Sequence, residues 1–262
     1  MSSRFRVILL PGGVLPAELA YHALLEALGE RVEAVTKDLE VYAGDEPPAG
    51  YGLEAEVEGI RRHADAQRFE RFHLVGYSGG GASSLAFTAT YPERLLSLAL
   101  LEPAWAGNTD LSQEEMALRA QFDEAGALES PEAFMREFVR LQLGPGAAPP
   151  PPPPEPRPPW MAKRPAGLHA FLRAFNDGEL DLDRLRSFRQ PVYFALGGKS
   201  NPDYYGRMAE RLARVFPDFT LERFEERHHF DPPHRLEAQR LAASLLGLWQ
   251  RAESADQPSP AP

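Results

Sequence analysis

Phe72-His73-Leu74-Val75-Gly76-Tyr77-Ser78-Gly79-Gly80-Gly81 changes character halfway along. Phe72 to Val75 is an apolar run of the kind shown by a strand buried on both faces. Gly81 to Tyr91 has the small-residue composition of a closely packed helix, ended by Pro92. Between them Gly76-Tyr77-Ser78-Gly79-Gly80 fits G-x-S-x-G, in the strand–turn–helix context that this spacing requires. A nucleophile on so sharp a turn has strained backbone angles, so Gly76 and Gly80 are expected to let strand and helix approach closely. Gly79 then offers an N–H at a helix N-terminus, where the dipole favours developing negative charge. The bland alternative, a chance match in a glycine-rich loop, has no reason to be flanked by these two elements.

Outward from this stretch, strands and helices alternate. Phe5 to Leu10 reads as a strand closed by Pro11-Gly12-Gly13, and Leu19 to Leu28 as an amphipathic helix stopped by Gly29. Val32 to Val41 can supply a second strand, Ala43 to Gly52 a loop, and Leu53 to Ala64 a second helix. Leu95 to Leu101, Val192 to Leu196 and Phe219 to Phe224 complete the strands. Helices are expected from Tyr204 to Val215 and from His234 to Arg251. This alternation implies βαβ units and a mostly parallel, doubly wound sheet: an α/β fold. The stretch 104–188 breaks the pattern and reads as helices only. Ser112-Gln113-Glu114-Glu115 has capping-box spacing, and Ser130-Pro131 puts proline at a first helical position. Within it runs a proline-rich segment, 149–159, with six consecutive prolines from Pro149 to Pro154. Such a run belongs in extended polyproline II, as a spacer or, more sharply, as a ligand for an SH3-like partner. The expected division is a core of 1–103 and 189–253, a helical insertion 104–188, and a disordered tail 254–262.

Composition narrows the function. The chain has 262 residues, 43% hydrophobic and 25% charged, and no cysteine, so disulfides, thiolate metal sites and cysteine nucleophiles are excluded. A formal charge of −10 disfavours nucleic acid and anionic membranes as partners. No run approaches the roughly 20 apolar residues of a membrane span, and no signal-peptide pattern opens the chain, so a cytoplasmic location is expected.

With these motifs the chain resembles the α/β-hydrolase-fold family over nearly its whole length, with a helical cap in the insertion. The resemblance implies a serine hydrolase with Ser78 as nucleophile and the chain order serine, acid, histidine. Leu9-Leu10-Pro11-Gly12-Gly13 resembles the family's oxyanion loop, with Pro11 where His is usual. The implied donors are the N–H groups of Gly79 and of Gly13, or of Val14 if the register is one off. For the base, Glu225 to Pro233 occupies the place of the family's histidine loop. His229 is favoured there, His228 is the alternative, and His234 suits a first helical turn. The usual acid place, in Gly198-Lys199-Ser200-Asn201-Pro202, holds Asn201, which carries no charge. Glu102, at the end of a core strand, is favoured as the replacement, with Asp203 the alternative. Its bland reading is a helix cap or an ion-pair partner.

Metal binding is disfavoured, since adjacent His228 and His229 diverge and no H-x-x-x-H pair lies near. No cofactor is implied: the glycines lack both the P-loop Lys and the dinucleotide spacing. Tyr77 beside the nucleophile, and Trp105, Met116, Phe122, Phe134, Met135, Phe138, Trp160, Met161, Phe171 and Phe175 in the cap, point to a largely apolar small-molecule substrate. The expected reaction is hydrolysis of an ester or related acyl compound through an acyl-enzyme. The competing expectation is a hydrolase-like protein that holds a ligand without turnover, motivated by Asn201 and Pro11. Oligomeric state is not legible.

Overall fold

In the computed structural model, residues 4–152 and 154–256 are described. In chain order they form β1 (Phe5–Leu10), α1 (Ala17–Leu28), β2 (Val32–Thr36), α2 (Leu53–Ala66), β3 (Phe72–Ser78), α3 (Gly79–Thr90) and β4 (Leu95–Pro103). Helices α4 (Gln113–Gly126), α5 (Pro131–Gln142), α6 (Arg164–Asp177) and α7 (Leu182–Ser187) follow. Then come β5 (Val192–Gly197), α8 (Arg207–Val215), β6 (Phe219–Phe224), α9 (Pro233–Leu236) and α10 (Ala238–Asp256). The six strands form one sheet in the order β2-β1-β3-β4-β5-β6, every pair parallel.

Alternate side chains of the central strands face opposite layers, as a period of two requires. Val7, Leu9, Val75, Ala99, Leu101 and Tyr193 pack with α1 and α10 on one side. Ile8, Leu10, Leu74, Leu98, Leu100 and Phe194 pack with α2, α3 and α8 on the other. Both faces are buried, which is why these strands read as continuous apolar runs rather than alternating ones. From β1 the chain goes to β2 on one side and returns to β3 on the other. The crevice beyond the carboxyl ends of β1 and β3 is therefore the switch point of the sheet, where ligands bind in open parallel sheets.

The stretch between β4 and β5 contains the helices α4 to α7, and an isolated antiparallel bridge pairs its Leu143 with Ser200, just after β5. Ser112 and Glu115 do form a capping box: the Glu115 N–H donates to Ser112 Oγ at 3.2 Å and the Ser112 N–H to Glu115 Oε2 at 2.7 Å. Pro149–Pro152 and Pro154–Pro158 lie in neither helix nor strand, whereas Pro159 opens a 3₁₀ turn, Pro159–Lys163. Pro153 lies outside the described residues.

Four boundaries differ from expectation. The second strand stops at Thr36 instead of Val41, because the buried Glu56 carboxylate takes the N–H groups of Glu40 and Val41 and folds them into a 3₁₀ turn, Glu40–Tyr42. The helix expected from Tyr204 begins at Arg207, after one π-type turn, Pro202–Gly206. The final helix is broken at Glu237 (φ −124°, ψ 40°) into α9 and α10. Finally, α10 runs to Asp256, three residues into the stretch read as a disordered tail, whose remaining residues, 257–262, lie outside the described ones.

Candidate active site

The turn between β3 and α3 is built on close contact. A Cβ on Gly76 would overlap the Gly80 carbonyl, and a Cβ on Gly80 would stand 2.5 Å from the carbonyl oxygens of Leu10 and Pro11. No side chain fits at either place. The Gly80 N–H donates to the Pro11 carbonyl at 2.9 Å, which fastens the elbow to the end of β1. Pro11 thus contributes an acceptor where its missing N–H is no loss. Ser78 is left with φ 52° and ψ −116°, a conformation that costs a non-glycine residue on the order of 1–3 kcal/mol and is held by its surroundings.

Glu102 arrives by a second irregularity. Tyr77 pairs with Leu101 and Ser78 with Pro103, so Glu102 is a bulged residue with φ 45°. A bulge re-aims a side chain, and here the carboxylate turns to His229. His229 lies in the loop between β6 and α9. Its Nε2 is 3.1 Å from Ser78 Oγ and its Nδ1 is 3.1 Å from Glu102 Oε2. Glu102 Oε1 accepts the N–H of Gly197, at the end of β5, at 2.7 Å. Ser78, Glu102 and His229 are 7%, 5% and 2% exposed, so their mutual interactions act in a medium poor in water.

The alternatives lie elsewhere. The Asp203 side chain is 72% exposed and sits 3.6 Å from the Arg207 guanidinium. Asn201 caps the π-type turn through the Asp203 N–H and donates to the Leu141 carbonyl. His228 accepts the Phe230 N–H on Nδ1, and partial burial lowers its pKa. His234 stands in the short α9, fully buried between the rings of Tyr21 and Tyr77, and burial brings its pKa down to about 3. Among the described residues no group of three or more His, Asp or Glu could hold a metal ion.

Gly79 is the first residue of α3, so its N–H has no acceptor within the helix. Gly12 lies against the serine: a Cβ there would be 3.0 Å from Ser78 Cβ. The Gly13 carbonyl accepts the Tyr42 hydroxyl at 2.7 Å. The Val14 N–H, on the same trans peptide, points the opposite way from that carbonyl. Both donor candidates lie under α6. A Cβ on Gly13 would meet Leu168 Cδ2 at 2.6 Å, and one on Gly79 would meet Phe171 Cζ at 3.2 Å.

Three contacts around His229 and Glu102 are marked by no motif in the sequence. The Tyr77 hydroxyl donates to the His229 carbonyl. The Tyr205 ring stacks on the imidazole, centroids 4.6 Å apart and planes 14° from parallel, and its hydroxyl donates to Gln142 Oε1 at 2.7 Å. Burial, and then the nearby Glu102 charge, raises the pKa of Tyr77, and burial does the same for Tyr205, so both remain neutral donors. The Gly197 N–H on Glu102 is the third. Tyr205 lies two residues past Asp203, and no spacing rule marks an aromatic there.

The aromatic residues of the insertion divide. Trp105, Phe122 and Phe175, with Tyr204 and Met208, line a cavity of about 100 Å³. Its lining includes Ala104, whose N–H donates to the Ser78 carbonyl and whose own carbonyl accepts the Tyr204 hydroxyl. Phe134 is fully buried against His169, with Phe138 beside it, and Met116 faces outward. Among the described residues no helix is long and apolar enough to cross a membrane.

A model of the alpha/beta hydrolase family matches residues 7–243. The chain is 31% identical over 107 residues to a fluoroacetate dehalogenase of Burkholderia sp., the match covering 35% of each protein. It is 43% identical over 51 residues to a 2-hydroxy-6-oxo-6-phenylhexa-2,4-dienoate hydrolase of Comamonas testosteroni, covering 20% of this chain and 18% of that one. The chain thus spans about a third or less of the length of these relatives. In fold it is similar to a thermophilic esterase from Thermogutta terrifontis, at a TM-score of 0.69 and 17% identity, covering 95% of this chain and 91% of that one.

Proposed function

Because the chain belongs to the alpha/beta hydrolase family, we propose that it is a serine-dependent hydrolase that cleaves an ester or related acyl compound through an acyl-enzyme. The observation that carries this reading is the line Ser78 Oγ–His229–Glu102, two contacts of 3.1 Å made by opposite nitrogens of one buried imidazole. His229 Nε2 takes the hydroxyl proton as Ser78 Oγ attacks the acyl carbon. Glu102 holds the Nδ1–H tautomer and offsets the imidazolium charge. The Gly79 and Gly13 N–H groups receive the oxyanion. His229 then gives the proton to the leaving alcohol, and a water, deprotonated by the same nitrogen, releases the acid and restores Ser78. Residues 104–188 act as a cap whose apolar side chains select a largely apolar small molecule, and the protein works in the cytoplasm.

The ligand-holding alternative drew on Asn201 in the usual acid place. Glu102 beside His229 offers a carboxylate from another strand, and Pro11 serves as an acceptor for the elbow; both support the enzyme reading.

The test is labelling by a fluorophosphonate probe, beside Ser78→Ala and His229→Ala, followed by p-nitrophenyl esters of increasing chain length. Labelling and turnover that vanish in both variants support the reading. A folded wild type that neither labels nor hydrolyses any ester refutes it.

A further inference from the structure

The turn after β1 has an anchor outside the three residues of the proposed relay. Tyr42 ends the 3₁₀ turn Glu40–Tyr42, and its hydroxyl reaches the Gly13 carbonyl at 2.7 Å. That 3₁₀ turn is itself held by Glu56 on α2. The buried carboxylate accepts the Glu40 N–H at 2.9 Å, the Val41 N–H at 3.1 Å and the Tyr51 hydroxyl at 2.8 Å. Three donors on one carboxylate leave the segment carrying Tyr42 little freedom. The phenol ring meets α6. The Arg164 guanidinium carbon lies 3.9 Å from the ring centroid, and a Cβ on Gly167 would overlap the ring. One turn on from Arg164, Leu168 covers Gly13.

We propose that Tyr42 is a positioning residue for the oxyanion turn, and that Arg164 ties its ring to helix α6. This rests on the serine-hydrolase reading above. A glycine turn is conformationally soft, since no Cβ restricts Gly12 or Gly13. A hydrogen bond at the Gly13 carbonyl holds the turn from one side, and the stacked guanidinium holds the phenol that makes it. Pinning the Gly13–Val14 peptide orients the Val14 N–H directly and limits the rotation open to Gly13. The N–H donors of this turn thus keep their direction relative to the Gly79 N–H without reorganising as charge builds on the substrate oxygen. Burial raises the Tyr42 pKa, so the hydroxyl stays a donor.

Tyr42→Phe keeps the ring and its contact with Arg164 and deletes only the hydroxyl. With p-nitrophenyl acetate and butyrate, kcat and the fluorophosphonate labelling rate are expected to fall about 5- to 50-fold while KM stays within about twofold. A hydroxyl with a merely structural role would lower Tm and leave kcat unchanged, and that result overturns the proposal. Arg164→Leu is expected to lower kcat by a smaller factor, about 3- to 10-fold, with the double variant no slower than Tyr42→Phe. Multiplying effects in the double variant overturn the tie to α6. If Tyr42→Phe does not fold, Arg164→Leu carries the test, and unchanged kcat there counts against the proposal. A wild type that neither labels nor hydrolyses refutes the serine reading itself, and the positioning role falls with it. A wild type that labels beside an unaffected Tyr42→Phe refutes the positioning role alone.

Discussion

Glu102 grips His229 with one carboxylate oxygen and the backbone of β5 with the other: Oε2 lies 3.1 Å from Nδ1, and Oε1 accepts the Gly197 N–H at 2.7 Å. The second bond fixes the plane of the carboxylate that faces Nδ1; on the proposed mechanism the first selects the Nδ1–H tautomer. Glu102→Gln keeps the shape, removes the charge and offers an N–H where Nδ1–H needs an acceptor. Ester turnover is expected to fall about 10³- to 10⁴-fold. Asp203→Asn should stay within about twofold of wild type, because that carboxylate is exposed beside Arg207. Steady-state rates of the two variants, measured side by side, decide the matter. The reverse order would assign the acid to Asp203.

Tyr77→Phe removes the hydroxyl that holds the His229 carbonyl and preserves the ring that leans on the imidazole, centroids 5.0 Å apart. The histidine loop also has the Arg227–Asp231 and Arg227–Glu237 pairs, at 2.9 and 3.1 Å. We expect kcat to fall about 3- to 30-fold with little change in KM. Unchanged kcat would show that the loop's other contacts hold His229 without the Tyr77 hydroxyl.

Phe171 lies over Gly79, the residue after the proposed nucleophile, so on the proposed mechanism its removal makes room near the acyl group. In Phe171→Ala the ratio of kcat/KM for p-nitrophenyl octanoate over acetate is expected to rise about tenfold or more. The cavity costs about 3–5 kcal/mol of stability, so folding is checked by thermal unfolding. A ratio that stays constant in a folded variant would place the acyl group away from α6.

Stability should decline on the acid side of neutrality. Burial holds the imidazoles of His73 and His234 down to about 3, against roughly 6.5 in an unfolded chain. Between those values the unfolded state binds protons that the native state refuses. Stability is therefore complete above about pH 6.5 and is lost as the pH falls toward 3, each histidine adding a slope of up to about 1.4 kcal/mol per pH unit. Neither ring nitrogen of His234 has a hydrogen-bond partner, so His234→Phe leaves no donor or acceptor stranded. Urea midpoints should favour the variant at pH 5, with a smaller difference at pH 8. A difference independent of pH would mean that His234 does not resist protonation in the native state.

Much of the fold was legible because its signals are local. The buried parallel strands show as apolar runs, the elbow as glycines at Gly76 and Gly80, the caps at Ser112 and Ser130 as residues that satisfy N–H groups three positions on. Boundaries failed where a distant group intervened. Nothing near Val41 in sequence says that Glu56 will withdraw it from a strand, and nothing near Glu237 marks the break before α10.

The order of strands and helices, the family, and the placing of a serine at the end of β3 and a histidine after β6 were determined by sequence alone. The elements are written in continuous apolar runs and a 3.6 period, and the serine in the steric demand of one turn; the family and the histidine loop followed from the resemblance those motifs carry. Only the tertiary structure brought Glu102 to His229 and left Asp203 with Arg207. It alone set Tyr205 on the imidazole and Tyr42 on the Gly13 carbonyl, over separations of 24 and 29 residues. Such contacts arise where strands from distant parts of the chain end side by side. A bulge of one residue in β4 decides which carboxylate faces inward, and that displacement depends on the register between β3 and β4.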